Sequence, residues 1–326
     1  MYSGDPVHPT VDRGKDTTVS TNPDSPITRR DAVTILAAAA VCLPTPRGKR
    51  QSTLKRIIPS TGESIPAVGL GTWQTFDVGE AERDRAPLRE ILRLFTQHGG
   101  KLVDSSSMYG RSEAVVGDLT HALNLEEQLF YATKVWTRGE DDGIAQMNRS
   151  ISRMRSDPMD LMQVHNLVDW QTHLRTLHRW KSEGRIRYAG ITHYQVGAFD
   201  DLERIIRGEA LDFVQLNFSI STREAEDRLL PLAADRGVAT IINRPYETGS
   251  LFRAVRGRTV PEWATEFDCE SWGQFFLKYI LSEPNVTCVI PATSNPKHLA
   301  DNMGAGYGRL PDQRTRQRMV EFVTSL

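Results

Sequence analysis

Four polar residues lie at or near the ends of three apolar segments, where together they suit acid/base chemistry on a carbonyl or alcohol oxygen. Asp104 ends an apolar run, Tyr109 follows five residues later, Lys134 lies inside YATKVW, and His165 ends another run. A lysine in an apolar strand needs a partner, and Asp104 is the obvious one. An unperturbed phenol, with a pKa of ~10, is too weak an acid to be a good proton donor. We expect the positive charge of Lys134 to ease ionisation of Tyr109 and so make it usable.

Each of these residues also has a structural alternative. Asp104 and Lys134 suit a buried ion pair, Tyr109 a packed aromatic at a rim, and His165 a hydrogen-bonded core histidine. Their concentration at three consecutive strand ends favours the catalytic interpretation. His165 would then hydrogen-bond the substrate oxygen that Tyr109 protonates.

The elements that must position these residues are eight short apolar runs, typical of buried parallel strands. We predict strands at 67–71, 101–105, 129–135, 160–165, 188–192, 213–217, 238–243 and 287–291. Helical spacing between and after them predicts helices at 87–97, 169–183, 202–206, 223–236, 271–282 and 312–326.

Eight strands alternating with helices over about 260 residues predict a (β/α)8 TIM barrel, in which chemistry lies at the carboxyl ends of the strands. The segment KRIIPSTGESIP (55–66) predicts a hairpin that plugs the barrel bottom. A doubly wound sheet is the alternative, but no G-x-G-x-x-G follows the first strand.

Seven motifs in order resemble the aldo/keto reductase superfamily over residues 54–310. They are GLGTWQ (69–74), VDSSSMYGRSEAVVG (103–117), ATKVW (132–136), QVHN (163–166), GITHY (190–194), QLNFS (215–219) and IPATSNPKHLADN (290–302). The resemblance implies a nicotinamide-dependent oxidoreductase whose cofactor supplies the hydride.

The resemblance assigns roles to individual residues. Tyr109 would be the general acid, tuned by Lys134 and Asp104, and His165 would orient the carbonyl. Gly71 and Thr72 would lie beside the nicotinamide, and Asp104 would also border the cofactor. Further cofactor and substrate contacts are implied for Asn166 and Gln215 (carboxamide), Thr192 and His193 (in place of the usual Ser-Asn), and Trp73 and Trp136 (walls of the substrate pocket).

Two departures from the family pattern concern the cofactor. After the seventh strand, Asn243 stands where the family usually has a stacking tyrosine, Arg244 is new, and Tyr246 lies three residues away. Arg244 suits either a pyrophosphate contact or a salt bridge on the rim. Ala292 and His298 stand where NADP-preferring members carry a lysine and an arginine, while Thr293, Asn295 and Asn302 remain for the adenosine phosphate. We expect NADP, with NAD as the alternative, and an open pocket shaped by the loops after the first, fourth and seventh strands.

Composition and charge exclude several classes of protein. The 326 residues carry 40 basic and 41 acidic side chains, so the balance lacks the basic excess of a nucleic-acid binder. No apolar run reaches the ~20 residues that cross a bilayer. The eight histidines and three cysteines have no metal-ligand spacing, which argues against a metal-dependent barrel lyase or hydrolase and predicts no metal site. A noncatalytic nicotinamide-binding regulatory subunit is the remaining alternative to an enzyme acting on a small carbonyl substrate.

The first fifty residues differ from the rest. Residues 1–26 are rich in Ser, Thr, Asp and Pro, which predicts disorder, and Arg29 and Arg30 precede the apolar stretch 32–43. This order resembles a twin-arginine export signal; the alternative is an N-terminal helix. We expect a signal segment at 1–50, a barrel at 51–326, and periplasmic or secreted localisation through the export machinery.

Overall fold

The computed structural model describes residues 52–326. The expected disorder and signal segment at 1–50, with Arg29 and Arg30, lie outside the described residues. The strands are β1 (Lys55–Ile57), β2 (Ser64–Pro66), β3 (Leu70–Gly71), β4 (Leu102–Asp104), β5 (Phe130–Val135), β6 (Met159–His165), β7 (Ile186–Thr192), β8 (Phe213–Asn217), β9 (Ala239–Asn243) and β10 (Cys288–Val289).

The α-helices pack outside the strands or follow them. They are α1 (Glu82–Gln97), α2 (Ser112–Ala122), α3 (Glu140–Met154), α4 (Trp170–Ser182), α5 (Phe199–Gly208), α6 (Glu224–Asp227), α7 (Leu229–Asp235), α8 (Ser250–Ala254), α9 (Trp272–Leu281), α10 (Pro296–Gly304) and α11 (Gln313–Thr324). None of the helices within residues 52–326 is long and apolar enough to cross a membrane.

Strands β3 to β10 pair in sequential order, and every pair is parallel. The two edges meet: Gly69 N donates to Val289 O at 2.8 Å, and Val289 N donates to Ala67 O at 2.9 Å. The sheet is therefore closed, and the predicted (β/α)8 barrel is confirmed, with all eight predicted strands present.

The predicted hairpin is also confirmed. Strands β1 and β2 pair antiparallel, and Ile58 and Ile65 are fully buried in the cluster of side chains that fills the barrel. The hairpin tip is attached to β7, because Tyr188 Oη donates to Glu63 Oε2 at 2.6 Å and lies 2.8 Å from Thr61 Oγ1. The hairpin thus closes the amino-terminal end of the barrel.

Three helix predictions were wrong in extent. The helix predicted at 202–206 is α5, which runs from Phe199 to Gly208. Helix α1 begins at Glu82, five residues before the predicted start at Pro87, and so contains Pro87 in its second turn, where one backbone hydrogen bond is missing. The predicted helix 223–236 is divided into α6 and α7 at Arg228 (φ −127°, ψ −64°). Pro231 has no N–H to donate to the carbonyl of Asp227, which a continuous helix would require.

Candidate active site

Side chains facing the barrel axis change from apolar to polar along each strand. On β5 the inward series is Phe130, Ala132 and Lys134, because alternate residues of a strand point to the same side. The same spacing on β6 runs from Leu161 through Gln163 to His165. The apolar members fill the lower barrel, so the polar members collect at the carboxyl ends of the strands.

Lys134 and Asp104 form a buried ion pair at this end. Lys134 Nζ lies 2.5 Å from Asp104 Oδ2 and donates to Ser105 O at 2.6 Å. The other carboxylate oxygen, Asp104 Oδ1, accepts from Gln215 Nε2 at 2.9 Å and from Gln163 Nε2 at 3.3 Å. Three further groups, Ser105 O and the amides of Gln215 and Gln163, therefore compensate the two buried charges and hold them in one arrangement.

Tyr109 and His165 lie above this pair. Lys134 Nζ is 5.2 Å from the centre of the Tyr109 ring, and the Tyr109 and His165 rings meet edge to face with their centres 5.8 Å apart. The structure therefore brings together all four residues predicted to be catalytic.

The expectation that Lys134 lowers the pKa of Tyr109 is corrected. Burial raises the pKa of Tyr109, and the negative charge of Asp104 raises it further. Lys134 is neutralised by its ion pair, so its charge does not act alone on the phenol. Burial also lowers the pKa of Lys134. Tyr109 thus carries its proton throughout the neutral range.

His165 is neutral. Burial lowers its pKa to about 2, and the positive charge of Lys134 contributes in the same direction. Its Nδ1 lies 2.9 Å from Ser106 Oγ. The site therefore presents a protonated phenol and an uncharged imidazole side by side.

Asp104, Tyr109 and His165 form the floor of a cavity of about 730 Å³. Most of the predicted cofactor and substrate residues line it: Gly71, Thr72, Trp73, Asp104, Trp136, Asn166, Thr192, Gln215, Asn243 and Arg244. The loops after the first and seventh barrel strands line the mouth of the cavity, as predicted. The loop after the fourth strand contributes mainly Asn166. The loops after the second and fifth strands add Met108 and Tyr194.

Three polar groups in the cavity wall have no hydrogen-bond partner among the described residues. They are Asn166 Oδ1, Asn243 Oδ1 and Arg244 Nε, all buried. Arg244 makes no ion pair with any residue of 52–326, so its alternative as a salt bridge on the rim is wrong. Its guanidinium lies 5.5 Å from the centre of the Tyr194 ring. Two acceptors and one cation are therefore left for a ligand that has N–H or hydroxyl donors and a negative charge.

Other predicted contact residues bond within the protein. Gln215 uses its N–H for Asp104, and its Oε1 accepts from Thr192 Oγ1 at 3.1 Å. Thr72 Oγ1 donates to Asp104 O at 3.0 Å. In place of free ligand contacts, Gln215, Thr192 and Thr72 connect the polar cluster to the barrel wall.

Five predicted cofactor residues do not line the cavity. His193 stacks on Tyr194, Thr293 Oγ1 accepts from Asn295 N, and Asn295 Oδ1 accepts from Lys297 N as the N-cap of α10. His298 is exposed on α10, and Asn302 Oδ1 accepts from Tyr246 Oη at 2.6 Å. Tyr246 therefore packs toward α10, and its hydroxyl is committed there.

Sequence reasoning missed Gln163, Ser105 and Ser106 as members of the cluster. Gln163 is a buried amide in an apolar strand, and the two serines directly follow Asp104. Polar residues in such positions signal a buried network, but their partners are set by strand register, which pairs Lys134 with Gln163.

A family model described as the Aldo/keto reductase family matches residues 67–318, which is most of the chain. The chain belongs to the aldo/keto reductase family. Among curated relatives, methylglyoxal reductase YeaE of Escherichia coli is 25% identical over 256 residues, covering 76% of this chain and 88% of that protein. An NADH-specific methylglyoxal reductase of the same organism is 27% identical over 244 residues, covering 64% and 72%.

Solved aldo/keto reductases share the fold. An aldo/keto reductase from Klebsiella pneumoniae in complex with NADPH superposes with a TM-score of 0.69 at 20% identity, covering 84% of this chain and 95% of that one. Membership of the family makes this chain an oxidoreductase of the kind that acts on carbonyl groups.

Proposed function

We propose that this aldo/keto reductase uses NADPH to reduce an aldehyde or ketone to an alcohol, with Tyr109 as the proton donor. The observation that carries the proposal is the cluster at the cavity floor: a protonated phenol, a neutral imidazole and a compensated ion pair in contact. When bound, the reduced nicotinamide supplies a hydride, which is two electrons and one proton equivalent, to the carbonyl carbon.

The chain's own residues complete the reaction. The carbonyl oxygen gains negative charge as the hydride arrives, and Tyr109 gives its proton to that oxygen. The phenolate left on Tyr109 then regains a proton from solvent, and the Lys134–Asp104 pair packs beneath its ring. His165 hydrogen-bonds the same oxygen without adding charge. The products are the alcohol and the oxidised cofactor.

The cavity wall supports a dinucleotide. Asn166 Oδ1, which has no partner within residues 52–326, is an acceptor suited to the carboxamide N–H of a nicotinamide. Arg244, which has no acidic partner in the same residues, is a cation suited to a pyrophosphate. Gly71 and Thr72 would border the ring. Thr293, Asn295 and His298 would face the adenosine end, and Lys297 would supply a charge there for the 2′-phosphate of NADPH.

The test is titration of the full chain with NADPH and NADH, followed by single-wavelength assays of cofactor oxidation with a panel of aldehydes, ketones and diketones. We expect binding and carbonyl-dependent oxidation, with NADPH bound more tightly. Binding without oxidation across the panel would favour a noncatalytic nicotinamide-binding subunit. Failure to bind either dinucleotide would contradict the proposal.

We also propose that residues 1–50 form a twin-arginine signal that exports the folded reductase. The support is the order of Arg29, Arg30 and an apolar stretch in the sequence. In a reporter fusion of the full chain, changing both arginines to lysine is expected to retain the reporter in the cytoplasm. Export at the unaltered level would contradict the proposal.

A further inference from the structure

Ser106 lies two residues after Asp104 and makes a contact that the reaction above does not require. Its side chain is 0% exposed, and its Oγ lies 2.9 Å from Nδ1 of His165. The same oxygen accepts a hydrogen bond from Met108 N at 3.3 Å. The hydroxyl therefore lies between a backbone donor and one nitrogen of the imidazole.

Proton counting decides the direction of this hydrogen bond. A buried hydroxyl needs an acceptor for its proton, and Met108 N is a donor that cannot take it. Nδ1 of His165 is the only other hydrogen-bonding partner of Ser106 Oγ within the described residues. Ser106 therefore donates to Nδ1. Since a neutral imidazole carries one N–H, the proton of His165 is then on Nε2.

We infer that Ser106 is a positioning residue that holds His165 as the Nε2–H tautomer. Nε2 has no protein partner in residues 52–326, and the ring lines the cavity. The N–H is thus available to the carbonyl oxygen beside the hydroxyl of Tyr109. The opposite tautomer would present a lone pair to an oxygen that is becoming negative and would repel it.

The catalytic consequence rests on the proposed function, whereas the tautomer does not. Two donors on one developing oxyanion stabilise it before the proton is transferred, and losing one such donor costs ~10²-fold or more in kcat. Without the hydroxyl of Ser106, the proton of His165 can occupy either ring nitrogen, but the imidazole remains. We therefore expect a smaller loss, of about 10-fold in kcat, for Ser106→Ala. Cofactor Kd is expected to stay within about twofold, and Ser106→Thr restores most of the rate because it keeps the hydroxyl.

The direct test is nitrogen NMR of the full chain labelled at histidine, with His165→Gln identifying the resonances of His165. We expect Nε2 to be protonated and Nδ1 to be an acceptor in the unaltered chain, and a mixture of tautomers in Ser106→Ala. Ser107→Ala is the matched control, because Ser107 Oγ donates to Lys134 O and does not contact the ring.

Three results would overturn the inference. One is a proton on Nδ1 in the unaltered chain, which also keeps the inference testable if Ser106→Ala does not fold. The second is a single Nε2–H tautomer that persists in Ser106→Ala. The third is a tautomer mixture in Ser107→Ala, which would mean that the tautomer of His165 does not depend specifically on the hydroxyl of Ser106. The NMR measurement needs neither cofactor nor substrate, so a chain that fails to reduce carbonyls leaves it interpretable.

Discussion

His165 links the catalytic site to acid stability. The pKa of this side chain is ~6.5 in the unfolded chain. In the folded protein burial lowers the pKa to about 2. The unfolded state therefore holds more protons between these values, and the stability that neutral His165 contributes above ~6.5 is lost as the pH falls. The slope is about 1.4 kcal/mol per pH unit for one group.

His165→Asn removes this contribution. Between pH 6.5 and 5, we expect the free energy of unfolding to fall by about 1–2 kcal/mol less in His165→Asn than in the unaltered chain. Urea unfolding at several pH values measures the difference. Ser107→Ala is the control, because it changes no titratable group, and it should keep the original slope. Equal slopes for His165→Asn and the unaltered chain would show that His165 is not held neutral.

Arg244 gives a second prediction for a single residue. Its guanidinium has no acidic partner in residues 52–326, so its charge is available to a dinucleotide pyrophosphate. We expect Arg244→Leu to weaken NADPH binding roughly 10-fold to 100-fold, the range for a lost hydrogen bond to a charged group. Arg256→Leu, which changes an exposed arginine that does not line the cavity, should bind normally. Equal Kd values for Arg244→Leu and the unaltered chain would exclude the pyrophosphate contact.

The catalytic four could be predicted from the sequence because each is conspicuous where it stands. Lys134 is a charge inside an apolar strand, and Asp104 is its nearest candidate partner. The direction in which the pKa of Tyr109 shifts could not be predicted. It depends on how far the charge of Asp104 cancels that of Lys134 and on how deeply the ring is buried. The roles of Gln163 and Ser106 likewise depend on distances that appear only in the folded barrel.

At the scale of elements, strand alternation explains where the site forms. Each inward series begins with apolar side chains that fill the barrel and ends with polar ones at the carboxyl end. Strands β7 and β8 approach each other closely at Gly190, because a Cβ at that position would lie 2.7 Å from Phe213 O. The apolar runs predicted the strands, but several helices, including α2, α3 and α8, were not predicted. Helix α2 buries residues on most of its surface and so lacks a clear polar face.

The hairpin is expected to contribute to stability as the lower part of the core. Ile65 is 0% exposed inside the barrel, whereas Ile57 on the same hairpin is 61% exposed. Ile65→Ala should lower the free energy of unfolding by about 2–5 kcal/mol, and Ile57→Ala by about 0.5 kcal/mol or less. Denaturant unfolding compares them directly. Similar losses for both would mean that the hairpin does not plug the barrel.

At the scale of the whole molecule, apolar surface concentrates at the cavity mouth. Of the large exposed apolar side chains in residues 52–326, all except Ile57 line the cavity: Trp73, Met108, Trp136, Tyr194 and Phe252. Exposed aromatic groups around a pocket favour an apolar ligand. These five side chains form an apolar ring around the cavity mouth. The family resemblance indicated Trp73 and Trp136, but the other three could not be predicted because they lie on separate loops that come together only in the folded barrel.

This ring predicts a preference for bulky aromatic carbonyls. We expect kcat/KM for a bicyclic aromatic aldehyde to exceed that for propanal by roughly 10-fold or more. Trp136→Ala should reduce that ratio and change the rate with propanal little. Steady-state assays with both aldehydes provide the comparison. Equal kcat/KM values in the unaltered chain would show that the ring does not contact the substrate.

The most direct test of the central claim is the rate of Tyr109→Phe in the full chain with the best carbonyl substrate. The change keeps the ring and removes only the proton donor. We predict a loss of at least ~10²-fold in kcat, the contribution of a general acid, with the Kd for NADPH unchanged. A kcat equal to that of the unaltered chain would contradict the assignment of Tyr109 as the proton donor.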